Sequence, residues 1–364
     1  MSTLLDPADP LSADLLAQIN AEIDSFLDDQ RPLLDDVGSE ALVLGNLARM
    51  FTDGGKRLRP AFCIWGAVAA GGIPADPAPL LRAAAALDML HVGILVHDDV
   101  MDASATRRGL PAAHVQLANR HQDEGLLGSG AAFGRAGAIL LGDLMQLWSV
   151  EMLDSSGLDA ARLTAARPVL ARMRTEVTCG QFLDVHVQHE PIRDPQHALL
   201  AAARVVEYKT AKYTVQRPVQ FGATLAGGSD ELLTALEAYG SALGRAFQFR
   251  DDLLGVFGDE AETGKPAGDD LREGKRTVLV AHAYAGTTDA GRRLLDARLG
   301  DPGLDADGVA DLRGVIIESG APDVVEAMIT EGFDGAIAAL DAPMTQAGRQ
   351  ALHSLAYAAT QRHT

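Results

Sequence analysis

Two pairs of adjacent aspartates, each set inside an apolar run, constrain this chain more than any other feature. His91 to Gly109 reads HVGILVHDDVMDASATRRG, with Asp98, Asp99 and Asp102 at its centre and Arg107 and Arg108 just beyond. Gln248 to Asp259 reads QFRDDLLGVFGD, where Asp251 and Asp252 again have apolar residues on both sides. Adjacent carboxylates in a poorly solvated place repel each other and lose hydration. A hard divalent cation relieves that cost. On a helix, residues four apart lie about 40° apart around the axis and roughly 6 Å along it, so Asp98 and Asp102 share a face with Asp99 beside them. Ligands that are all oxygen favour Mg²⁺, which keeps several waters and shares phosphate oxygens. Either stretch alone reads as a solvated acidic turn. Two such helices facing each other across a cavity would instead hold metal ions between them, with a diphosphate completing the shell.

The surroundings of those pairs are helical in character. Alanine and leucine are abundant, apolar residues recur with the 3.6-residue period, and β-branched runs between turn signals are few, which predicts an all-α fold. With 364 residues, 47% of them hydrophobic, the chain can bury a large core as one big domain or two ordinary ones. Lys+Arg number 31 against 50 Asp+Glu, and the resulting −19 argues against nucleic acid or an anionic membrane as the main partner. An anionic ligand must therefore be held by metal or by clustered lysine and arginine. Cys63 and Cys179 show no ligand spacing and are expected to be small core residues in a reducing cytoplasm. The N-terminus carries early acids and no basic segment, so no signal peptide is expected. The longest apolar candidate, Ala61 to Ile73, holds three glycines and is shorter than the roughly eighteen residues that cross a bilayer, so no transmembrane segment is expected.

In chain order, residues 11–36 read as an amphipathic acidic helix on the outside of the fold. FTDGGKRLRPAFCIW follows, where Gly54 and Gly55 precede Lys56, Arg57 and Arg59. Paired glycines let backbone N–H groups approach a ligand, and cations at a helix start favour an anion; a solvated surface turn is the plainer alternative. Pro60 suits the first turn of the next helix. Leu80 to Met101 is a long apolar helix on which His91 lies two turns before Asp98, as a satisfied core histidine or a ligand contact. Asn119 to Gly130 reads as a loop, Ala131 to Met152 and Leu163 to Val187 as helices. Gln181 and Asp184 read as structural hydrogen-bond partners. In VEYKTAKYT, Lys209, Thr210 and Lys212 begin a helix interior that Pro218 interrupts or kinks; the lysines contact an anion or snorkel to solvent. Leu232 to Phe257 is the second central helix, followed by a glycine-rich loop carrying Lys265, Lys275 and Arg276 that could fold over a phosphate-bearing cavity. From Leu279 onward helices form scaffold, with a loop near 299–308.

Taken as an ordered set, GGKRLRP, HDDVMD, YKTAKYT, QFRDD and the loop behind it resemble the trans-isoprenyl diphosphate synthase (polyprenyl synthetase) family over nearly the whole chain. The resemblance implies one domain over residues 1–364, with 1–36 peripheral, built as an antiparallel helical bundle around a deep central cavity and working as a homodimer. It implies a Mg²⁺-dependent prenyltransferase that condenses isopentenyl diphosphate with an allylic diphosphate (dimethylallyl, geranyl or farnesyl). Asp98, Asp99 and Asp102 match the first aspartate-rich motif, Asp251 and Asp252 the second; by resemblance they bind three Mg²⁺ ions. Arg107, Lys209, Gln248 and Lys265, with Thr210 and Lys275 beside them, match residues on the allylic diphosphate. Lys56, Arg59, His91 and Arg108 match those gripping isopentenyl diphosphate. The physics agrees: breaking an allylic C–O bond leaves a carbocation and a pyrophosphate anion, and metal and cationic side chains stabilise the charge on the leaving group. The isopentenyl double bond attacks the cation, pyrophosphate takes the lost proton in the family mechanism, and an apolar cavity keeps water away.

One position departs from the family pattern. The second motif usually ends in aspartate, but here that place is Gly255, and Asp259 is the residue expected to compensate. Gly93 and Ile94, one turn before Asp98, are expected to set the floor of the product tunnel. The absent side chain at Gly93 is expected to leave room for a product longer than farnesyl, geranylgeranyl diphosphate. Two rivals are a class I terpene cyclase, which lacks the GGKRLRP cluster, and a non-catalytic partner subunit, which tends to lose its acidic motifs.

Overall fold

The first helix begins where the Ser12 side chain accepts a hydrogen bond from Leu15 N–H, satisfying one of the donors a helix start leaves free. From there α1 (Ala13–Val37) buries Leu15, Ile19, Ile23, Phe26, Leu27 and Leu34, an i, i+4 stripe that sinks into the main core. The helix thus lays its apolar face on the bundle and leaves its acidic face exposed on the outside of the fold. After α2 (Leu42–Thr52) and α3 (Leu58–Gly71) comes α4 (Ala78–Met101). The chain then turns through a two-residue hairpin, β1 (Thr106–Arg107) with β2 (Leu110–Pro111), which the sequence pattern did not announce. There follow α5 (Ala113–Asp123), α6 (Gly130–Asp154), α7 (Ala160–His189) and α8 (Pro195–Val205). The residues described by this computed structural model are 4–192, 194–258, 268–301 and 303–361. The segment expected to be a loop from Asn119 is helical as far as Asp123, because His121 and Leu117 are buried and hold α5 against α6.

Val206–Gln216 continues α8 as a π-helix and passes without a break into α9 (Arg217–Leu225), where Pro218 stands at the start. The irregularity expected at Pro218 is thus taken up before it, as one over-wide stretch. In a wider turn, residues four and five apart share a face, and such segments gather at functional sites. α10 (Asp230–Phe257) is followed by the short α11 (Asp269–Glu273), then α12 (Val278–Gly286), α13 (Asp289–Arg298), α14 (Ala306–Glu318), α15 (Ala321–Ala339) and α16 (Gln346–Thr360).

Two hydrophobic clusters meet along α10. Its first half sends Leu232, Leu236, Tyr239, Leu243 and Phe247 into the large cluster with α1, α3, α4, α6 and α7. Its second half sends Phe249, Leu253 and Val256 into a smaller one with α12, α14 and α15. Asp251 and Asp252 lie in that second half, where the first turn of α12 also approaches. Cys63 is buried as expected, but Cys179 is exposed on α7. Two helices, Ala78–Met101 and Gly130–Asp154, are long and apolar enough to cross a membrane by length and composition; most of the first is buried inside the fold.

Candidate active site

Asp98 and Asp99 stand in the last turn of α4 and Asp102 caps its C-terminus, where the helix dipole is least welcoming to carboxylates. Cations from two other elements and an amide from a third make the arrangement tolerable. The hairpin folds back so that Arg107 Nε donates to Asp99 Oδ1 at 2.9 Å, with its Nη2 on the same oxygen and 3.8 Å from Asp98 Oδ2. From the π-helix, Lys209 Nζ donates to Asp98 Oδ1 at 3.3 Å and to Asp184 Oδ2 at 2.6 Å. From α7, Gln181 Nε2 donates to the same Asp98 oxygen at 2.6 Å. Gln181 and Asp184 are therefore not each other's partners; each holds a site residue. Gly180 lets α7 come this close, since a Cβ there would lie 2.5 Å from Lys209 N. Burial alone would raise the Asp98 carboxyl, but Lys209, Lys275 and Arg107 together pull it below the usual range. Asp102 is pushed up to about 6 by burial and by the Asp98 charge.

On α10, Asp252 is 2% exposed. Its Oδ1 accepts from Gln248 Nε2 at 2.8 Å, and Gln248 Oε1 in turn accepts from Thr210 Oγ1 at 2.6 Å. Its Oδ2 is buried with no hydrogen-bond partner. Burial pushes this carboxyl up to about 8, with further upward pressure from Asp270 and Asp251. Lys275 links the two acidic groups: its Nζ lies 2.5 Å from Glu273 Oε2 and 3.4 Å from Asp270 Oδ1, and its charge also acts on Asp98 and Asp102. Lys265 and Asp259 lie outside the described residues. Lys212 is not part of this site, since it pairs with Glu176 and lies over the Tyr208 ring.

The third group is cationic. Arg57, in a left-handed conformation at φ 49°, is buried and pairs with Asp88 of α4, with Asn20 Oδ1 of α1 at 2.8 Å and with the Thr52 carbonyl. Two residues on, Arg59 donates to Thr214 Oγ1 at 2.7 Å and lies 4.3 Å above the Tyr213 ring, while its Nε is buried without a partner. Arg108 donates to the Asp53 carbonyl at 3.2 Å and rests on Gly55, where a Cβ would come 2.9 Å from its Nη2. So Gly55 admits a guanidinium. His91 sits beside Tyr213, with Nδ1 buried and unpartnered, and burial together with four arginine charges holds it well below its usual value, as a neutral ring. It belongs with the arginines, not with the acidic row. Lys56 is exposed at the entrance to this group.

These three groups place most of the expected residues around one region and add others: Asp88, Asn20, Gln181, Asp184, Tyr213, Asp270 and Glu273. Asp88 was hidden inside an alanine- and leucine-rich run, and Asn20 on a helix without visible chemistry. Among the described residues, no three carboxylate or imidazole groups converge tightly enough to chelate one ion as they stand. Mg²⁺ commonly takes one or two carboxylates and completes its octahedron with water and phosphate oxygens. The unpartnered Asp252 oxygen and the buried, mutually repelling acids fit such an ion, and the orphaned Arg59 Nε and His91 Nδ1 fit an anion. The space expected beside Gly93 is absent: a Cβ there would meet the Gly142 carbonyl and Met145 Cβ of α6, each at 3.0 Å. Gly93 is a helix–helix contact, while the neighbouring Ile94 is only partly buried.

The model of the polyprenyl synthetase family matches residues 40–312. A geranylgeranyl diphosphate synthase of Methanosarcina mazei is 34% identical over 270 residues, 74% of this chain and 73% of its own. A geranylfarnesyl diphosphate synthase of Aeropyrum pernix is 33% identical over 276 residues, 75% of this chain and 79% of its own. Among solved structures, a geranylgeranyl pyrophosphate synthase from Corynebacterium glutamicum, complexed with isoprenyl diphosphate and magnesium, superposes with a TM-score of 0.91 at 37% identity, covering 99% of this chain and all of that one.

Proposed function

We propose, for a chain that belongs to the polyprenyl synthetase family and is a prenyltransferase, that it condenses isopentenyl diphosphate with allylic diphosphates to give geranylgeranyl diphosphate. The observation that carries this reading is the division of the site into two anion-holding regions: carboxylates with interleaved Lys209, Lys275 and Arg107, and an arginine group around neutral His91. An overall charge of −19 leaves little other reason to gather so many cations at one place.

In this reading Asp98, Asp99 and Asp102 from α4 and Asp251 and Asp252 from α10 would hold Mg²⁺, three ions by family expectation. When bound, the metal supplies positive charge to the diphosphate that departs from the allylic carbon. Arg107, Lys209 and Lys275 leave their carboxylate partners in part to bind the same diphosphate, and Thr210 orients Gln248 toward it. Lys56, Arg59 and Arg108 hold the diphosphate of the isopentenyl unit, and His91 contributes a hydrogen bond without charge. The apolar faces of α4 and α6 exclude water from the allylic cation while the isopentenyl double bond attacks it. Tyr213, whose hydroxyl burial drives above its ordinary value, stays protonated and supports Arg59 through its ring.

The family relatives include synthases named for geranylgeranyl and for the longer geranylfarnesyl products, and the former name supports the length proposed here. Ile94 on α4 is the residue to which we assign the limit. Homodimerisation is proposed through α6, where Phe133, Leu140 and Leu147 recur every seven residues and are all exposed. The deciding experiment is incubation with isopentenyl diphosphate, separate allylic starters and Mg²⁺, with chain length read by chromatography. A C20 diphosphate supports the reading; no condensation product from any starter would sink it.

A further inference from the structure

Lys212 is the cation of YKTAKYT that the site does not use. Its Nζ lies 3.4 Å from Oε1 of Glu176 on α7. Arg217, five residues further on, donates to the same carboxylate twice, from Nε to Oε2 at 2.7 Å and from Nη2 to Oε1 at 2.8 Å. The Arg217 fork is itself fixed: Nη1 donates to Gln220 Oε1 at 2.8 Å, and Gln220 Nε2 donates to the Leu233 carbonyl at 3.1 Å. The side chains of Glu176, Lys212 and Arg217 are 15%, 16% and 6% exposed, so this is not a solvated surface pair of little consequence.

The spacing of the two cations depends on how the chain is wound. Residues five apart on an α-helix lie about 140° apart around the axis and face different ways. A π-helix, whose hydrogen bonds join residues five apart, stacks them. Here the Arg217 N–H donates to the Lys212 carbonyl, and the two side chains meet one carboxylate. A second face of the same winding serves the site. Lys209 and Thr214 are also five apart; Lys209 donates to Asp98 at 3.3 Å, and Thr214 accepts from Arg59 at 2.7 Å. One segment thus reaches both the acidic group and the arginine group. Wound as an α-helix, it would present one of these residues and turn the other away. Long π-helices are rare, so 11 residues in this form need holding from outside.

We propose that Glu176 is a positioning residue for the condensation: by binding Lys212 and Arg217 together it locks the π winding that sets Lys209 and Thr214 on one face. The assignment rests on the reading of Lys209 and Arg59 as diphosphate contacts. Glu176 touches no substrate; it stands one turn before Gly180 and two before Asp184, on the side of α7 that meets the π-helix.

The test is a double-variant cycle on kcat/KM for isopentenyl diphosphate with Mg²⁺ and an allylic starter that the wild type accepts. Assays run at a temperature where thermal melts show each variant folded. Glu176→Gln keeps the shape and loses the charge, and kcat/KM is expected to fall about tenfold, since a misplacement of about 1 Å can cost up to about 100-fold. In a Lys209→Gln background the same change is expected to cost about threefold or less, because the group it positions is gone. A purely structural role lowers both backgrounds by one factor, and that equality overturns the assignment. Lys212→Met goes through the same cycle; it removes one arm of the lock, keeps the buried Arg217 pair, and decides alone if Glu176→Gln does not fold. Indifference of Lys212→Met, beside a loss of about 100-fold in Lys209→Gln, overturns the lock and leaves the proposed function standing. A wild type that makes no condensation product from any starter, or an indifferent Lys209→Gln, overturns the proposed function as well.

Discussion

Removing the Asp88 carboxylate should be among the costliest single changes outside the apolar core. The side chains of Arg57 and Asp88 are 2% and 5% exposed, and Asp88 lies on α4 amid alanines and leucines. Deleting one member of a buried ion pair typically costs about 3–5 kcal/mol, because the survivor stays buried and uncompensated. Arg57 would keep Asn20 Oδ1 and the Thr52 carbonyl as acceptors, which places Asp88→Ala toward the lower end, about 3 kcal/mol. The double variant Arg57→Met/Asp88→Leu should lose less than the sum of the two single changes, since no charge is stranded. Urea unfolding with an unchanged slope measures each value. Arg57 also holds the left-handed turn between Lys56 and Arg59, so KM for isopentenyl diphosphate should rise more than kcat falls. A loss below about 1 kcal/mol for Asp88→Ala would refute the claim that this pair is buried and uncompensated without its partner.

Gly93→Phe should destabilise the fold by about 1–3 kcal/mol, because the ring must force α4 from the Gly142 carbonyl. Ile94→Phe should melt near the wild type and shorten the product; a C20 product from Ile94→Phe refutes the assignment of the length limit. Lys209→Gln strips Asp98 and Asp184 of their shared cation, and kcat/KM should fall about 100-fold or more; a change under threefold in steady-state assays would exclude the diphosphate contact. Asp252 and Asp102 are raised to about 8 and about 6, above ordinary carboxylates, so the folded chain holds more protons than the unfolded one. Their contribution to stability is full below the ordinary carboxylate range and is lost as pH rises through 6 and then 8. Melts in chelator should fall across that interval, and Asp252→Asn should flatten the upper part; a midpoint insensitive to Asp252→Asn there contradicts the sign or size of its shift.

Local chemistry made the long helices legible. The 3.6-residue period marks α10 because it buries one continuous face, α4 is legible as an apolar run buried on nearly every side, and the aspartate pairs stand out because acids are rare inside such helices. What escaped depends on pairings between distant residues. Asp88 is one acid in an apolar run, and nothing nearby says that Arg57, 31 residues earlier, neutralises it. The hairpin at Thr106–Pro111 is two residues per strand, too short for alternation to register, yet it brings Arg107 back to Asp99. Gly93 shows the same limit from the other side. A missing side chain reads as space only if nothing else enters, and Gly142 had already closed the gap.

Gly255 is the sharper case of that ambiguity. In sequence it is a carboxylate lost from α10, and the nearest replacement by helical spacing was Asp259. In three dimensions the same glycine is the condition for Asp270 to approach, because any side chain at 255 would collide with that carboxylate. The bare position 255 and the seating of Asp270 against α10 are thus a single steric fact. It follows that Gly255→Asp alone should not strengthen the cation site. Its new carboxylate would enter occupied volume beside Asp252, adding like charge and overpacking together, and both lower stability. Only with Asp270 removed does the space for it exist. A Gly255→Asp chain that melts with the wild type and binds Mn²⁺ more tightly would mean that Asp270 never held that space.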